Sequence, residues 1–225
     1  MTARQLSFDL PVREARGRED FFVSPANAEA VAQIEGWREW PGRKLVLTGA
    51  PGSGKTHLAH VWSALAEARI VAARDLADRE IGALTDRPVA VEDVSAIAGD
   101  HAAEAALFHL HNMALAEGQS LLLTADTAPP AWQLSLPDLA SRVAATPVAR
   151  LQDPDDDLLA AVIMKLLADR QLVPTPGTIP YLVRRIDRSF AAAGRVVAQL
   201  DATALETGRP VSRALAARVL DNPGA

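Results

Sequence analysis

The sequence contains no cysteine among its 225 residues. That removes disulfide staples and thiolate metal ligands, and it is the usage expected in a reducing compartment. Aromatic residues are scarce, 4% of the chain with a single tyrosine, so burial must rest on aliphatic side chains and on Trp37, Trp40, Trp62 and Trp132. Long hydrophobic runs are missing too: no stretch approaches the roughly 20 apolar residues of a membrane helix. The first residues lack a basic segment followed by an apolar one, so no export signal is expected. Positive charge is in deficit, with 23 Lys and Arg against 28 Asp and Glu and a net charge of −5. That balance speaks against a protein that grips DNA by neutralising phosphates over a broad face. The hydrophobic share, 49%, suffices for a packed core, and a cytoplasmic globular protein is the expectation.

Along the chain, residues 1–20 are polar and charged apart from Leu6, Phe8 and Leu10, which predicts a flexible tail. The spacing of Ala30, Val31, Ile34 and Trp37 predicts a helix over 27–37. Apolar strands are then expected at 44–48, 70–73, 89–92, 120–124 and 147–151. Helices are expected at 55–68, 102–117 and 136–144. Short, wholly apolar strands that alternate with helices predict an α/β core: a five-stranded parallel sheet covered on both faces, with phosphate chemistry at the strands' carboxyl ends. From residue 153 the pattern turns helical only. An acidic start at Asp153, Asp155, Asp156 and Asp157 suits a helix N-terminus, and helices follow near 157–170, 178–186, 189–208 and 212–220. The expected organisation is a tail (1–20), a core (21–152) and a small all-helical lid (153–225).

Gly49-Ala50-Pro51-Gly52-Ser53-Gly54-Lys55-Thr56 fits the pattern G-x-x-x-x-G-K-[ST], after an apolar strand and at the start of a helix. Glycines let the backbone curl until successive N–H groups face phosphate oxygens, and the following helix presents its positive end to the same anion. Lys55 is placed to reach the β- and γ-phosphates of ATP, or the β-phosphate of ADP, and the Thr56 hydroxyl to ligate Mg²⁺. Val89-Ala90-Val91-Glu92-Asp93 is a second station, an apolar strand ending in two carboxylates. Laid beside the phosphate-loop strand, it would bring Glu92 and Asp93 to the metal, one acting through its water shell and the other on the attacking water. The five histidines form no convincing metal set, since His109 and His111 lie two apart on a helix and point in different directions.

Several stretches carry a family resemblance. They are the loop helix Gly54-Lys55-Thr56-His57-Leu58-Ala59-His60, the segment Phe22-Val23-x-x-x-Asn27, Val91-Glu92-Asp93-Val94, Leu122-Leu123-Thr124-Ala125-Asp126 and Asp138-Leu139-Ala140-Ser141-Arg142. In this order they resemble the AAA+ nucleotide-binding domain of the bacterial replication initiator DnaA and, more closely, the shorter Hda-like regulators homologous to it. The resemblance implies that Val23 and Asn27 border the adenine, that His57 belongs to the loop helix, that Asp126 stands near the γ-phosphate and that Arg142 is an arginine finger. The Glu–Asp order at 92–93 departs from the two aspartates usual in the family. So does Ala191, which aligns with the family's lid arginine; Arg188, one helical turn earlier, is the candidate to replace it.

Gln5-Leu6-Ser7-Phe8-Asp9-Leu10 resembles the peptide with which bacterial replication proteins bind the DNA polymerase III sliding clamp. Leu6, Phe8 and Leu10 suit an apolar groove and Gln5 a polar anchor. After the lid no residues remain for the initiator's helix-turn-helix domain, so sequence-specific DNA binding is not expected. The resemblance thus implies a negative regulator of replication initiation that binds the clamp and promotes hydrolysis of DnaA-bound ATP, holds ADP or ATP with weak intrinsic turnover, and is of a type able to form homo-oligomers. The alternative is a helicase loader or adaptor of the same fold.

Overall fold

The computed structural model describes residues 22–221; the candidate clamp segment Gln5–Leu10 lies outside them. Five strands form one sheet, β1 (Lys44–Thr48), β2 (Arg69–Ala72), β3 (Val89–Glu92), β4 (Leu121–Ala125) and β5 (Val148–Arg150). The order is β2-β3-β4-β1-β5 and every pairing is parallel. The central strands β1, β3 and β4 are apolar along most of their length because both faces are covered, whereas edge strand β5 buries only Ala149. Leu45 and Leu47 of β1 and Leu122 of β4 face one cluster, together with Trp62 of α2 (Lys55–Ala66) and Ile34 of α1 (Ala28–Glu35). Val46, Leu121 and Leu123 face the other, with Leu107 of α3 (His101–Ala116) and Leu139 of α4 (Pro137–Ala144). Trp40 stacks on Trp62 with centroids 5.3 Å apart, and Trp37 meets it edge-on at 6.3 Å.

One expectation is corrected. The strand bearing Glu92 does not lie beside the phosphate-loop strand, because β4 stands between them and pairs with both. All five residues of β4 are buried, which suits its run of leucines to the position shared by two neighbours. The first helix also ends earlier than the periodicity of Trp37 implies. It stops at Gly36, and Trp37–Glu39 forms a separate 3₁₀ turn.

After β5 come α5 (Asp156–Asp169), α6 (Thr178–Val183), α7 (Phe190–Thr207) and α8 (Arg213–Asp221). They enclose a cluster of their own around Leu159, Ile163, Leu182, Val197, Leu200 and Leu215. Among the described residues this part has no strand, only an isolated bridge between Pro174 and Val211. No described helix is long and apolar enough to cross a membrane.

Glu104 of α3 is fully buried. Its Oε1 accepts from the backbone N–H groups of Gly99 (2.8 Å) and Ser135 (3.0 Å). Its Oε2 accepts from the Ser135 hydroxyl (2.8 Å) and the Leu136 N–H (2.7 Å). Burial pushes this carboxyl up, but hydrogen bonds from Ser135, Gly99 and Leu136 outweigh it and hold the pKa below the usual carboxylate value. A depressed folded-state pKa contributes stability that is present above the unfolded pKa, about 4.3, and is lost as pH falls through the folded value. Glu104→Gln keeps one acceptor oxygen, so two of the four donors lose their partner at about 1–3 kcal/mol each. Denaturation followed by tryptophan fluorescence is therefore expected to show a less stable variant at pH 7. The gap should narrow below about pH 4, and a gap constant down to pH 3 would contradict this account.

Candidate phosphate-loop site

The register of the sheet builds the site. Thr48, the last residue of β1, lies opposite Ala125 of β4 and Arg150 of β5, so Gly49 and Asp126 leave the sheet side by side. Val91 of β3 lies opposite Leu123, which brings Glu92 and Asp93 to the same edge one strand further out. The Asp93 N–H donates to the Thr124 hydroxyl at 3.2 Å.

The loop turns tightly between Ala50 and Ser53, whose N–H donates to the Ala50 carbonyl at 3.0 Å. Gly49 has no room for a side chain: a Cβ there would lie 2.5 Å from Ser53 Oγ and 2.9 Å from the Leu151 carbonyl. Gly52 and Gly54 have φ of +77° and +99°, a region in which L side chains are strained. Lys55 opens α2 and folds back over the loop. It is only 7% exposed, and its Nζ donates to the carbonyls of Gly49 (2.8 Å) and Ala50 (3.1 Å) and to Asp126 Oδ1 (2.7 Å). All three ammonium donors are directed. Thr56 is exposed in the first turn of α2, and His57 follows it half-buried.

Two oxygens of the site are buried without a hydrogen-bond partner among the described residues, Ser53 Oγ and Glu92 Oε1. A buried carboxylate oxygen left open at this edge of the sheet is the hard-oxygen donor type that suits Mg²⁺. Among the described residues no group of three or more His, Asp or Glu is arranged to hold a metal alone, so phosphate and water would have to complete such a shell.

The segment before α1 is drawn in by Asn27, which is 3% exposed. Its side chain donates to the Phe22 carbonyl (2.8 Å) and accepts from the Ser24 N–H (2.8 Å). Phe22 and Val23 remain exposed beside it. Asp155, the N-cap of α5, is held below the usual carboxylate range. The Leu158 N–H is the main cause, working against burial, with Ser24, Ala26 and Arg188 adding to it. This segment is thereby tied to the junction between the sheet and the helical part.

Sequence reasoning missed Phe190. Its N–H, in the first turn of α7, donates to the Gly52 carbonyl at 2.8 Å. A Cβ on Gly54 would lie 2.8 Å from its Cε2, and one on Gly52 would lie 2.8 Å from Ala191 Cβ. The helical part therefore rests directly on the glycines of the loop. Nothing local in the sequence signals a contact across so many residues. Arg188 lies two residues before Phe190, and its guanidinium pairs with Asp156 at 2.6 Å, both side chains being exposed.

Arg142 stands elsewhere. Its guanidinium lies 5.2 Å from the Phe108 ring centroid, and its carbonyl accepts from Lys44 Nζ at 3.1 Å. Lys44 begins β1 and Thr48 ends it, so Arg142 and the loop sit at opposite ends of a strand spanning about 13 Å. The structure brings Lys55, Asp126, Glu92 and Asp93 to one edge and keeps Arg142 away from it.

No protein-family model matches the sequence. The structure is similar to domain III of the replication initiation protein DnaA from Thermotoga maritima, with a TM-score of 0.79, 21% identity, and coverage of 95% of this chain and 98% of that one. AMPPCP-bound DnaA from Aquifex aeolicus follows at 0.67 and 19%, over 84% and 66% of the two chains. A RuvB mutant from Thermotoga maritima gives 0.65 and 16%, over 87% and 67%. The fold is that of an AAA+ core with a helical part. Identities this low establish the fold and leave the function to the site.

Proposed function

We propose that this chain is a nucleotide-holding regulator of replication initiation that supplies Arg142 to ATP bound by a DnaA-type initiator. The observation that carries the reading is the separation of Arg142 from its own phosphate loop. An arginine fork at the far end of β1 cannot serve nucleotide held by Lys55 and is free to meet another subunit's. A guanidinium suits oxygens that gain charge in phosphoryl transfer. In this reading the core (21–152) and lid (153–225) hold ADP or ATP between them in the cytoplasm. Lys55 and the loop amides bind the phosphates, Val23 and Asn27 border the base, and Asp126 orients Lys55. Thr56, with Glu92 and Asp93 acting through water, would hold Mg²⁺, which neutralises phosphate charge when bound. Similar DnaA structures carry AMPPCP, which supports a nucleotide here.

Ala191 in place of a lid arginine, with Arg188 engaged by Asp156, favours slow intrinsic hydrolysis. Clamp binding through Gln5, Leu6, Phe8 and Leu10 would bring the protein to DNA without direct base recognition. The test is ATP hydrolysis by purified DnaA, with and without this protein and with and without clamp loaded on DNA. Stimulation that needs both supports the reading, and none in any arm rejects it. Retention of clamp by the full chain but not by one lacking residues 1–10 separates it from a helicase loader.

The loop itself offers a sharper test. Gly54→Ala adds a methyl into the Phe190 ring at a left-handed position, whereas Gly99→Ala meets the left-handed strain alone, no described residue lying within 4 Å of its Cβ. Strain of this kind amounts to about 1–3 kcal/mol. Calorimetry is expected to give ADP binding at least about tenfold weaker for Gly54→Ala and unchanged for Gly99→Ala. Equal affinities in the two variants would remove Phe190 from the site.

A further inference from the structure

Helix α4 carries Arg142 and has only eight residues, of which Leu139 and Val143 are buried. A helix so short is marginal alone and must be fixed by what surrounds it. Charged side chains from the core hold it at both ends. Before its first turn, the buried Glu104 carboxylate of α3 accepts from Ser135 N–H, Ser135 hydroxyl and Leu136 N–H. In its last turn, the carbonyl of Arg142 itself accepts from Lys44 Nζ at 3.1 Å and from the Thr146 hydroxyl at 3.0 Å. The signs match the helix dipole, an anion at the positive end and a cation at the negative end.

Lys44 is itself held in place. Its Nζ lies 3.3 Å from His111 Nε2, in a buried imidazole. Burial, then Lys44, then Arg142 push the His111 pKa down to about 4, against a contact from Asn112 that raises it. The ring is therefore neutral at pH 7 and offers a lone pair to the ammonium. Burial and Arg142 also lower the Lys44 pKa, but His111 and the Arg142 carbonyl both need it as a donor.

From this geometry we infer that Glu104 and Lys44 are positioning residues for Arg142: they clamp α4 at its two ends and fix where the guanidinium stands. The inference rests on the reading of Arg142 as the group presented to a partner's nucleotide. Neither residue touches the phosphate loop, and Lys44 reaches Arg142 across 98 residues of sequence. The clamp acts on the orientation of one arginine, so its loss should lower the rate at saturation. The concentration needed to reach saturation should hardly change.

The test uses the full chain with Lys44→Met, which keeps the stem and removes the donor, Lys44→Arg, which keeps a donor, and Glu104→Gln. ADP affinity and thermal unfolding report whether each variant folds. DnaA ATP hydrolysis, titrated with each protein, gives the maximal rate and the half-saturating concentration. Deuterium exchange of amides 138–144 reports α4 alone. For Lys44→Met the maximal rate is expected to fall about 10–100-fold, the effect of displacing a catalytic group by about 1 Å. ADP affinity and half-saturation should stay within about twofold, and α4 should exchange about tenfold faster. Lys44→Arg should recover most of the rate. Glu104→Gln should act in the same direction, with a lower melting temperature. A maximal rate equal to wild type in Lys44→Met, while Arg142→Ala abolishes stimulation, would overturn the clamp and leave the Arg142 reading standing. Full stimulation by Arg142→Ala would overturn that reading, and the positioning role with it.

Discussion

Calorimetric titration of the Lys55→Met protein with ADP is expected to show no measurable uptake, against clear binding by the wild type. Lys55 is the buried cation of the loop, with its ammonium gathered between two loop carbonyls and Asp126. A phosphate brought into the loop meets a charge already in place, and each charge-assisted hydrogen bond contributes about 1.5–3 kcal/mol. Two such bonds to a diphosphate correspond to about 10²–10⁴ in affinity. Methionine keeps the volume and the apolar stem, so α2 and its contacts around Trp62 should survive. The melting temperature then separates lost binding from lost fold. ADP should raise it in the wild type, because a ligand that binds only the folded state stabilises by mass action, and should leave it unmoved in the variant. Binding within about threefold of wild type would show that the loop does not hold polyphosphate, and the functional proposal would fall with it.

The contrast between Lys55 and its surroundings explains what the sequence could reveal. The loop from Gly49 to Thr56 was legible because its constraints are local. Two glycines need left-handed backbone, one needs room beside Leu151, and the lysine must begin a helix. Burial on both faces was legible in Leu45–Leu47 and Leu121–Leu123, since a strand covered on both sides has no polar alternation. The neighbour of β1 was not legible. Strand order depends on which crossover packs over which face, and the leucines of β4 fit a central position without saying between which partners. The lid contact stayed hidden for a similar reason. Phe190 meets Gly54, and its amide meets Gly52, only after four helices have folded into one cluster. Arg188 lies one turn before the position the resemblance aligns with an arginine, but the acidic start of α5 offers it Asp156. An ion pair of that kind depends on how two helices approach each other. The clamp on α4 joins residues 31 and 98 apart and leaves no pattern along the chain.

Arg142→Ala is expected to abolish stimulation of DnaA's ATPase while leaving the protein's own ADP affinity unchanged. An arginine supplied in trans raises phosphoryl-transfer rates by about 10³–10⁵, so its removal should bring phosphate release in the presence of DNA-loaded clamp back to the level of DnaA alone. Position makes the two halves of this prediction independent. The carbonyl of Arg142 is bonded to the first residue of β1, whereas Lys55 sits beyond its last, so truncating the side chain removes nothing that touches the loop. The side chain is exposed and rests on Phe108, so little core packing goes with it. Arg142→Lys should not rescue, because an ammonium is a point charge without the planar fork that engages two phosphate oxygens at once. Stimulation that survives in Arg142→Ala would mean that a different group reaches the initiator's nucleotide. The distance between Arg142 and its own loop would then need another explanation, such as a contact between copies of this chain.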